Sequence, residues 1–226
     1  MDPVDINHIV TLDPVWETEA RPGQRSDTRA LILTAAADAF MTRGFAAATI
    51  DYVAEQLEAS KGQIYHYYRS KSDLYIDVAV GAHFMLDQAT STPEILAITE
   101  PRSRLHAVAL AHTWAILEYY SFMRVALEAT QHQLFSVTNG RQERANKRIN
   151  AFKDAYEQRI YDLIEAGVKA GQFQVPDLDV ATKSVLGSLT WLTVWYDPTR
   201  DNDISTKERI AKESADFVIA GLQEPA

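Results

Sequence analysis

Cysteine is absent from all 226 residues. That excludes a disulfide scaffold, cysteine-ligated zinc and thiol nucleophiles. Nine glycines and eight prolines are too few for a collagen-like or low-complexity chain. Strand-like alternation and fixed-period repeats are also missing. The longest strongly apolar stretch is read at Val185–Tyr196, short of the roughly 20 residues a membrane span requires. Residues 1–20 hold five acids and no base, the reverse of a secretory or mitochondrial presequence. A soluble, cytoplasmic chain with no membrane partner is expected. Nucleotide, zinc-protease and serine-hydrolase motifs (G-x-G-x-x-G, Walker A, H-E-x-x-H, G-x-S-x-G) do not occur. His106 and His112 are six residues apart and fall on different faces of a helix, and His132 stands alone. No catalytic, metal-ligating or cofactor-binding set is therefore expected, and the chain is read as a non-enzyme.

What is present is a folded chain, since 46% hydrophobic residues argue against disorder along most of its length. The net charge of −9 opposes nucleic-acid binding at first sight. Its distribution does not. Residues 1–20 carry −5, residues 76–226 carry −5, and residues 21–75 hold seven bases against six acids. A DNA-binding chain needs a local basic face rather than a basic total.

Residues 1–22, with Pro3, Pro14 and Pro22, read as a mobile N-terminal arm. A helical pattern starts at Asp27, with Leu31, Ile32, Ala35, Ala36 and Phe40 at three- and four-residue steps, and Gly44 is placed as its C′ glycine. Thr49 caps a short helix Ile50–Leu57, Ser60 caps Lys61–Tyr67, and Ser70 caps a helix running from Lys71 toward Ala89. Longer helices are expected at Ser103–Glu118, Ser121–His132, Arg141–Ala170, Val180–Tyr196 and Ser205–Leu222. This makes an all-α protein of about nine helices. Residues 23–75 form a small first domain, and residues 76–226 form a larger helical second one.

The three short helices have helix-turn-helix spacing, with small Ala54 at the crossing and apolar Ile50, Val53, Leu57, Ala59, Ile64 and Tyr67 on facing sides. Residues 29–75 resemble the DNA-binding domain of the TetR family of transcriptional repressors. The matching residues begin with Arg29, Ile32, Leu33, Ala35, Ala36, Phe40, Gly44 and Phe45. They continue with Thr49, Ile50, Val53, Ala54 and Glu55, then the dense run Ser60 to Tyr68, Ser70, Lys71 and Leu74. The resemblance implies DNA contacts at Thr49, Ser60, Lys61, Gly62, Gln63, Tyr65, His66, Tyr67 and Lys71. Gln63 can read adenine or close a capping box on Ser60. Tyr65 and Tyr67 suit phosphate or core. Lys71, a cation in the first turn of a helix, is read as a phosphate contact against a solvated lysine. Arg25 and Arg29 are read as a solvated face. Two positions depart from the family: Glu58 stands where the turn usually has Gly, and Ala48 where Thr is frequent. If the turn needs positive φ, Glu58 costs about 1–2 kcal/mol.

The same resemblance implies a homodimer built on Leu186, Leu189, Thr190, Thr193, Val194, Ile210, Ser214, Phe217, Val218 and Gly221, an apolar stripe that equally suits an intramolecular core. It implies an effector pocket among His112, Trp114, Tyr119, Phe122, Met123, Tyr156, Trp191 and Trp195, each of which also suits plain packing. Residues 171–222, with Gly171-Gln172-Phe173, Trp191 and Trp195-Tyr196-Asp197-Pro198, look like an acyl-CoA-responsive subgroup. Arg124, Arg144, Lys147 and Arg148 are its candidate pocket-mouth cations. The expected protein is a dimeric repressor on a palindromic DNA operator, released by a small apolar effector such as an acyl-CoA. The alternative is a ligand-binding or protein-interaction homologue with weakened or lost DNA binding.

Overall fold

A computed structural model describes residues 26–131 and 140–223. The arm read at 1–22, together with Arg25, His132 and Asn139, lies outside the described residues. Within them every regular element is a helix: α1 (Ser26–Ala47), α2 (Ile50–Gln56), α3 (Lys61–Tyr67), α4 (Lys71–Thr90), α5 (Pro93–Ala97) and α6 (Pro101–Glu118). Then follow α7 (Tyr120–Gln131), α8 (Gly140–Lys169), α9 (Leu178–Thr190), α10 (Leu192–Trp195) and α11 (Ile204–Ala220). The all-α fold class read from the sequence is the observed one.

Side-chain caps set the starts. Thr49, Ser60, Thr92, Asp177 and Asp203 each accept a hydrogen bond from the backbone N–H three residues on, satisfying a donor the helix cannot. Pro93 and Pro101 occupy the first turns of α5 and α6, where proline loses no hydrogen bond.

Three boundaries differ from expectation. The helix α5 has no counterpart among the helices expected from the sequence. The single helix expected at 180–196 is interrupted at Trp191. There the Thr193 hydroxyl donates to Thr190 O at 2.7 Å, competing for the main-chain ladder. Gly44 is not a left-handed C′ residue. Its φ of 71° and ψ of 162° belong to a region open to glycine alone. The kink directs Phe45 back onto Phe40 and Tyr75, with ring centroids 6.1 and 4.8 Å apart. A further difference concerns hydropathy. Residues Thr28–Ala47 form a 20-residue stretch apolar enough by length and composition to span a membrane, longer than the stretch read at 185–196. Its alanines gave no strong local signal. Here it packs as a core helix: Ile32, Leu33, Ala36 and Phe40 are buried, and Arg29 is ion-paired.

The chain divides into two compact units. Among the described residues, one holds 26–85 and 121–151, and the other holds 86–120 and 152–223. Residues 121–151, grouped from the sequence with everything after position 76, cluster with the helix-turn-helix segment. In the first unit α1 packs on α2 and α2 on α3, around Ile32, Phe40, Val53, Ala54, Ile64, Tyr68 and Leu74, all buried. In the second, α6 is buried at Leu105 and from Ala107 to Leu117 and α11 runs along it. Its core joins Leu105, Val108, Ile160, Ile164, Leu189 and Val218.

Candidate nucleic-acid interface and buried polar cluster

A seven-residue helix is marginal by itself, so α3 depends on its surroundings. Ser60 Oγ accepts from Gln63 N at 3.2 Å, and Ile64 is fully buried. That anchoring leaves Lys61, Gly62, Gln63, Tyr65 and His66 exposed together. Tyr65 is 45% exposed. The Gln63 side chain forms no bond back to Ser60 among the described residues, so the reciprocal half of a capping box is not made and the amide is open. A Cβ on Gly62 would meet nothing closer than Ser60 Oγ at 3.9 Å, so this glycine answers no packing demand within the chain. His66 packs edge-on to the half-buried Tyr67, at 5.3 Å. The residue packed inward at this helix end is Tyr68, not Tyr67.

Thr49 is exposed at the start of α2 and accepts from Tyr52 N at 3.1 Å. Lys61 donates to Asp51 at 2.9 Å, with both side chains more than half exposed. The pairing was not legible in the sequence, because ten residues and a turn separate the partners. Arg43, counted before only as a base, lies 3.6 Å over the Tyr52 ring.

Lys71 takes a role neither sequence reading weighed. Its ammonium donates to Phe45 O, Ala46 O and Ala48 O at 2.6, 3.1 and 2.9 Å and lies 4.6 Å over the Phe45 ring. All three donors close the carbonyl end of α1, which accounts for a cation at a helix N-terminus without a phosphate. Arg29 is likewise not a solvated charge. It donates to Asp77 at 2.7 Å and to the Tyr68 hydroxyl at 3.2 Å.

The turn between α2 and α3 is a Schellman motif. Ala59 N donates to Ala54 O at 2.9 Å and Glu58 N to Glu55 O at 3.1 Å. The residue in left-handed conformation is Glu58, at φ 50°, the position where the sequence departs from glycine. Glu58→Gly is expected to stabilise the chain by about 0.5–1 kcal/mol in urea unfolding. The same change removes an acid beside α3 and should tighten binding to duplex DNA. Glu58→Ala, which keeps the strain, should lack the stability gain. Equal unfolding midpoints for Glu58→Gly and Glu58→Ala would sink this account.

In the second unit, His112 is buried on α6, with Nδ1 2.7 Å from the Tyr156 hydroxyl. Burial pushes His112 down to about 3, so the ring is neutral at physiological pH. Burial raises the Tyr156 pKa far above its usual range. Arg159 sits 4.9 Å over the Tyr156 ring and donates to Asp87 at 3.0 Å and Thr90 at 3.1 Å. His112 and Tyr156 are thus the two effector candidates brought into contact. The partners Arg159, Asp87 and Thr90 were missed, because Arg159 on α8 lies 72 and 69 residues from Asp87 and Thr90 on α4.

The remaining candidates scatter. Tyr119 is half-buried, and Trp114 is buried beside it in chain order. Phe122 and Met123 are buried in the other unit. Trp191 and Trp195 are not enclosed at all, being 61% and 47% exposed. They line an open cleft of about 740 Å³ with Leu192, Ile210 and Phe217. Of the residues read as a dimer face, Leu189, Thr193, Ile210 and Val218 are buried in their own unit, whereas Val194 and Phe217 face outward. Two of the proposed pocket-mouth cations are paired along their own helices, Arg124 with Glu128 and Lys147 with Glu143. His106 pairs with Asp216 at 2.9 Å on the surface. Among the described residues no group of three His, Cys, Asp or Glu could hold a metal ion.

Residues 32–78 match the family described as bacterial regulatory proteins, tetR family, and residues 99–222 match the tetracyclin repressor-like C-terminal domain. The chain is similar to the HTH-type transcriptional repressor KstR2 of Rhodococcus jostii, 27% identical over 222 residues, covering 96% of this chain and 99% of the relative. In fold it is similar to the ketosteroid transcriptional regulator KstR2 of Mycobacterium tuberculosis, with a TM-score of 0.74 and 20% identity over 90% of this chain and 98% of that one. It is also similar in fold to AibR solved with isovaleryl coenzyme A and operator DNA, with a TM-score of 0.67 and 20% identity over 88% and 99% of the two chains. By name, the first two are transcriptional regulators.

Proposed function

Because the chain belongs to the TetR family of bacterial transcriptional regulators, we propose that it is a ligand-responsive repressor acting in the cytoplasm. In this reading it binds a palindromic operator as a homodimer and leaves it when a small apolar effector binds. The observation that carries it is the exposed side of α3, where Lys61, Gly62, Gln63, Tyr65 and His66 stand clear of the core while Ile64 anchors the helix. Such a helix end enters the major groove. Gln63 can pair bidentately with adenine, and Lys61 with guanine once it releases Asp51. Thr49, Ser60, Tyr67 and the backbone at Gly62 position the helix on phosphates. Lys71 contributes indirectly, by holding the end of α1.

An acyl-CoA is the proposed effector class. It is supported by the subgroup resemblance at 171–222 and by the isovaleryl coenzyme A bound to AibR, a protein of the same fold. The switch needs a coupling of only ~1–3 kcal/mol between the two ligands. The helix α4 is continuous from Lys71 to Thr90 and is the proposed carrier.

A second reading, ligand binding with DNA affinity lost, is favoured by the acids Asp51, Glu55 and Glu58 around the turn. One experiment separates them. Binding to a fragment from the chain's own upstream region is followed by anisotropy across a salt series, with and without a panel of acyl-CoAs. The repressor reading expects a steep loss of affinity with salt, a loss at Gln63→Ala, and release by one thioester. No binding at low salt by a folded dimer would favour the second reading.

A further inference from the structure

Buried nitrogens without a hydrogen-bond partner are rare in folded chains. The unit holding residues 86–120 and 152–223 has His112 Nε2 and Arg159 Nε among them. Both flank one side chain. His112 contacts the Tyr156 hydroxyl through Nδ1 at 2.7 Å, and Arg159 stacks on the Tyr156 ring. The Arg159 Nη2 is already engaged by Asp87 and Thr90, which leaves Nε–H as a donor. A guanidinium has no acceptor to offer in any state. The His112 ring is 2% exposed and neutral. In the tautomer where the Tyr156 hydroxyl donates to Nδ1, the ring proton sits on Nε2 and makes it a second donor. Two donors beside one tyrosine, with no acceptor supplied among the described residues, call for an oxygen from outside them.

Resting on the effector reading above, we propose that His112 Nε2–H and Arg159 Nε–H are the polar anchor of the effector site and bind an acyl oxygen. That oxygen is a thioester carbonyl or the carboxylate of the corresponding acid. Tyr156 packs against the apolar core that contains Val108, Ile160 and Ile164, a surrounding that suits the acyl chain. An amine would oppose both donors and is excluded. Arg159 also grips Asp87 and Thr90 in the last turn of α4, so an oxygen that draws on its guanidinium competes with that grip. The anchor is thereby a positioning element for α4 as well.

The test uses the full-length protein and a matched pair of probes, octanoyl-CoA and S-octyl-CoA, the thioether that lacks the carbonyl oxygen. Calorimetric titration of the wild type is expected to give at least tenfold tighter binding of octanoyl-CoA. Arg159→Met and His112→Phe should bring the two affinities together, and His112→Gln, which keeps a donor, should restore part of the difference. Because either variant can unfold, the wild type supplies a second readout. In the ¹⁵N spectrum of the histidine rings, the His112 Nε2 signal should move with octanoyl-CoA and stay with S-octyl-CoA. Equal affinities for the two probes, no binding of octanoyl-CoA, or an unmoved ring signal would each overturn the proposal. Operator anisotropy on the same samples separates the two readings. Carbonyl-selective binding without DNA release keeps this anchor and removes the release mechanism. Release by both probes alike does the reverse.

Discussion

Replacing Trp191 and Phe217 together by glutamate is expected to leave a folded monomer that binds its operator at least a hundredfold more weakly. The two side chains are 61% and 69% exposed, so the substitutions cut little from the chain's own core. Contiguous exposed aromatics of this size mark an interaction surface, and Trp191, Trp195 and Phe217 line one cleft. Charged pairs rim the cleft beside them, Arg209 with Glu213 and Arg200 with Asp201, an apolar centre with a polar edge. In a two-fold dimer each change counts twice, and tryptophan and phenylalanine anchors dominate such interfaces. Without the dimer, the two recognition helices lose the roughly 10²–10⁴ gain of simultaneous engagement. Sedimentation at micromolar concentration and operator anisotropy check the two halves of the expectation. Unchanged helical circular dichroism would show that the fold is kept. Leu189→Glu, at a site 1% exposed, should unfold the unit instead. A double variant that sediments as a dimer would remove this face from the assembly.

The contrast between those positions shows where sequence patterning stops. Leu189, Val194, Ile210 and Phe217 all belong to apolar stripes at helical spacing. Periodicity says that such residues are covered, without saying whether by their own chain or by another. The local signals did better. The caps at Thr49, Ser60 and Ser70 were readable because each is satisfied within three residues. Glu58 stood out because the family that the segment resembles usually has Gly at that turn position, and its φ of 50° meets the condition for strain. Long-range partners were invisible. Lys71 reaches carbonyls 23–26 residues away, and the Arg159 contacts to Asp87 and Thr90 span 72 and 69 residues. For Lys71 the residue type suggested a phosphate, and the fold supplied internal carbonyl partners instead. For His112 and Arg159 it left one nitrogen each unfilled.

Asp77→Ala is expected to loosen the helix-turn-helix unit and with it the grip on DNA, at about 2–4 kcal/mol, toward the lower side of what breaking a buried ion pair costs. The Arg29 and Asp77 side chains are 25% and 15% exposed, 2.7 Å apart. Burial works against the Arg29 charge, while Tyr68 and Asp77 together raise its pKa above that of a free guanidinium. Deleting the carboxylate leaves that cation half-buried over the Tyr68 ring, at 5.9 Å, with one neutral hydroxyl for company. Tyr68 closes the C-terminal end of α3, so the disturbance falls beside the recognition helix. Arg29→Met with Asp77→Leu removes both charges and should recover most of the loss, since an apolar pair of similar volume avoids the desolvation of either ion. Hydrogen exchange over residues 29–79 is the suitable probe, because no tryptophan lies in that span. Exchange should quicken in Asp77→Ala and return toward wild type in the double variant, with operator affinity following in the same order. If Asp77→Ala exchanges at the wild-type rate, the pair is a surface contact and the stability of α1 against α3 rests on Phe40, Ile64 and Tyr68 packing alone.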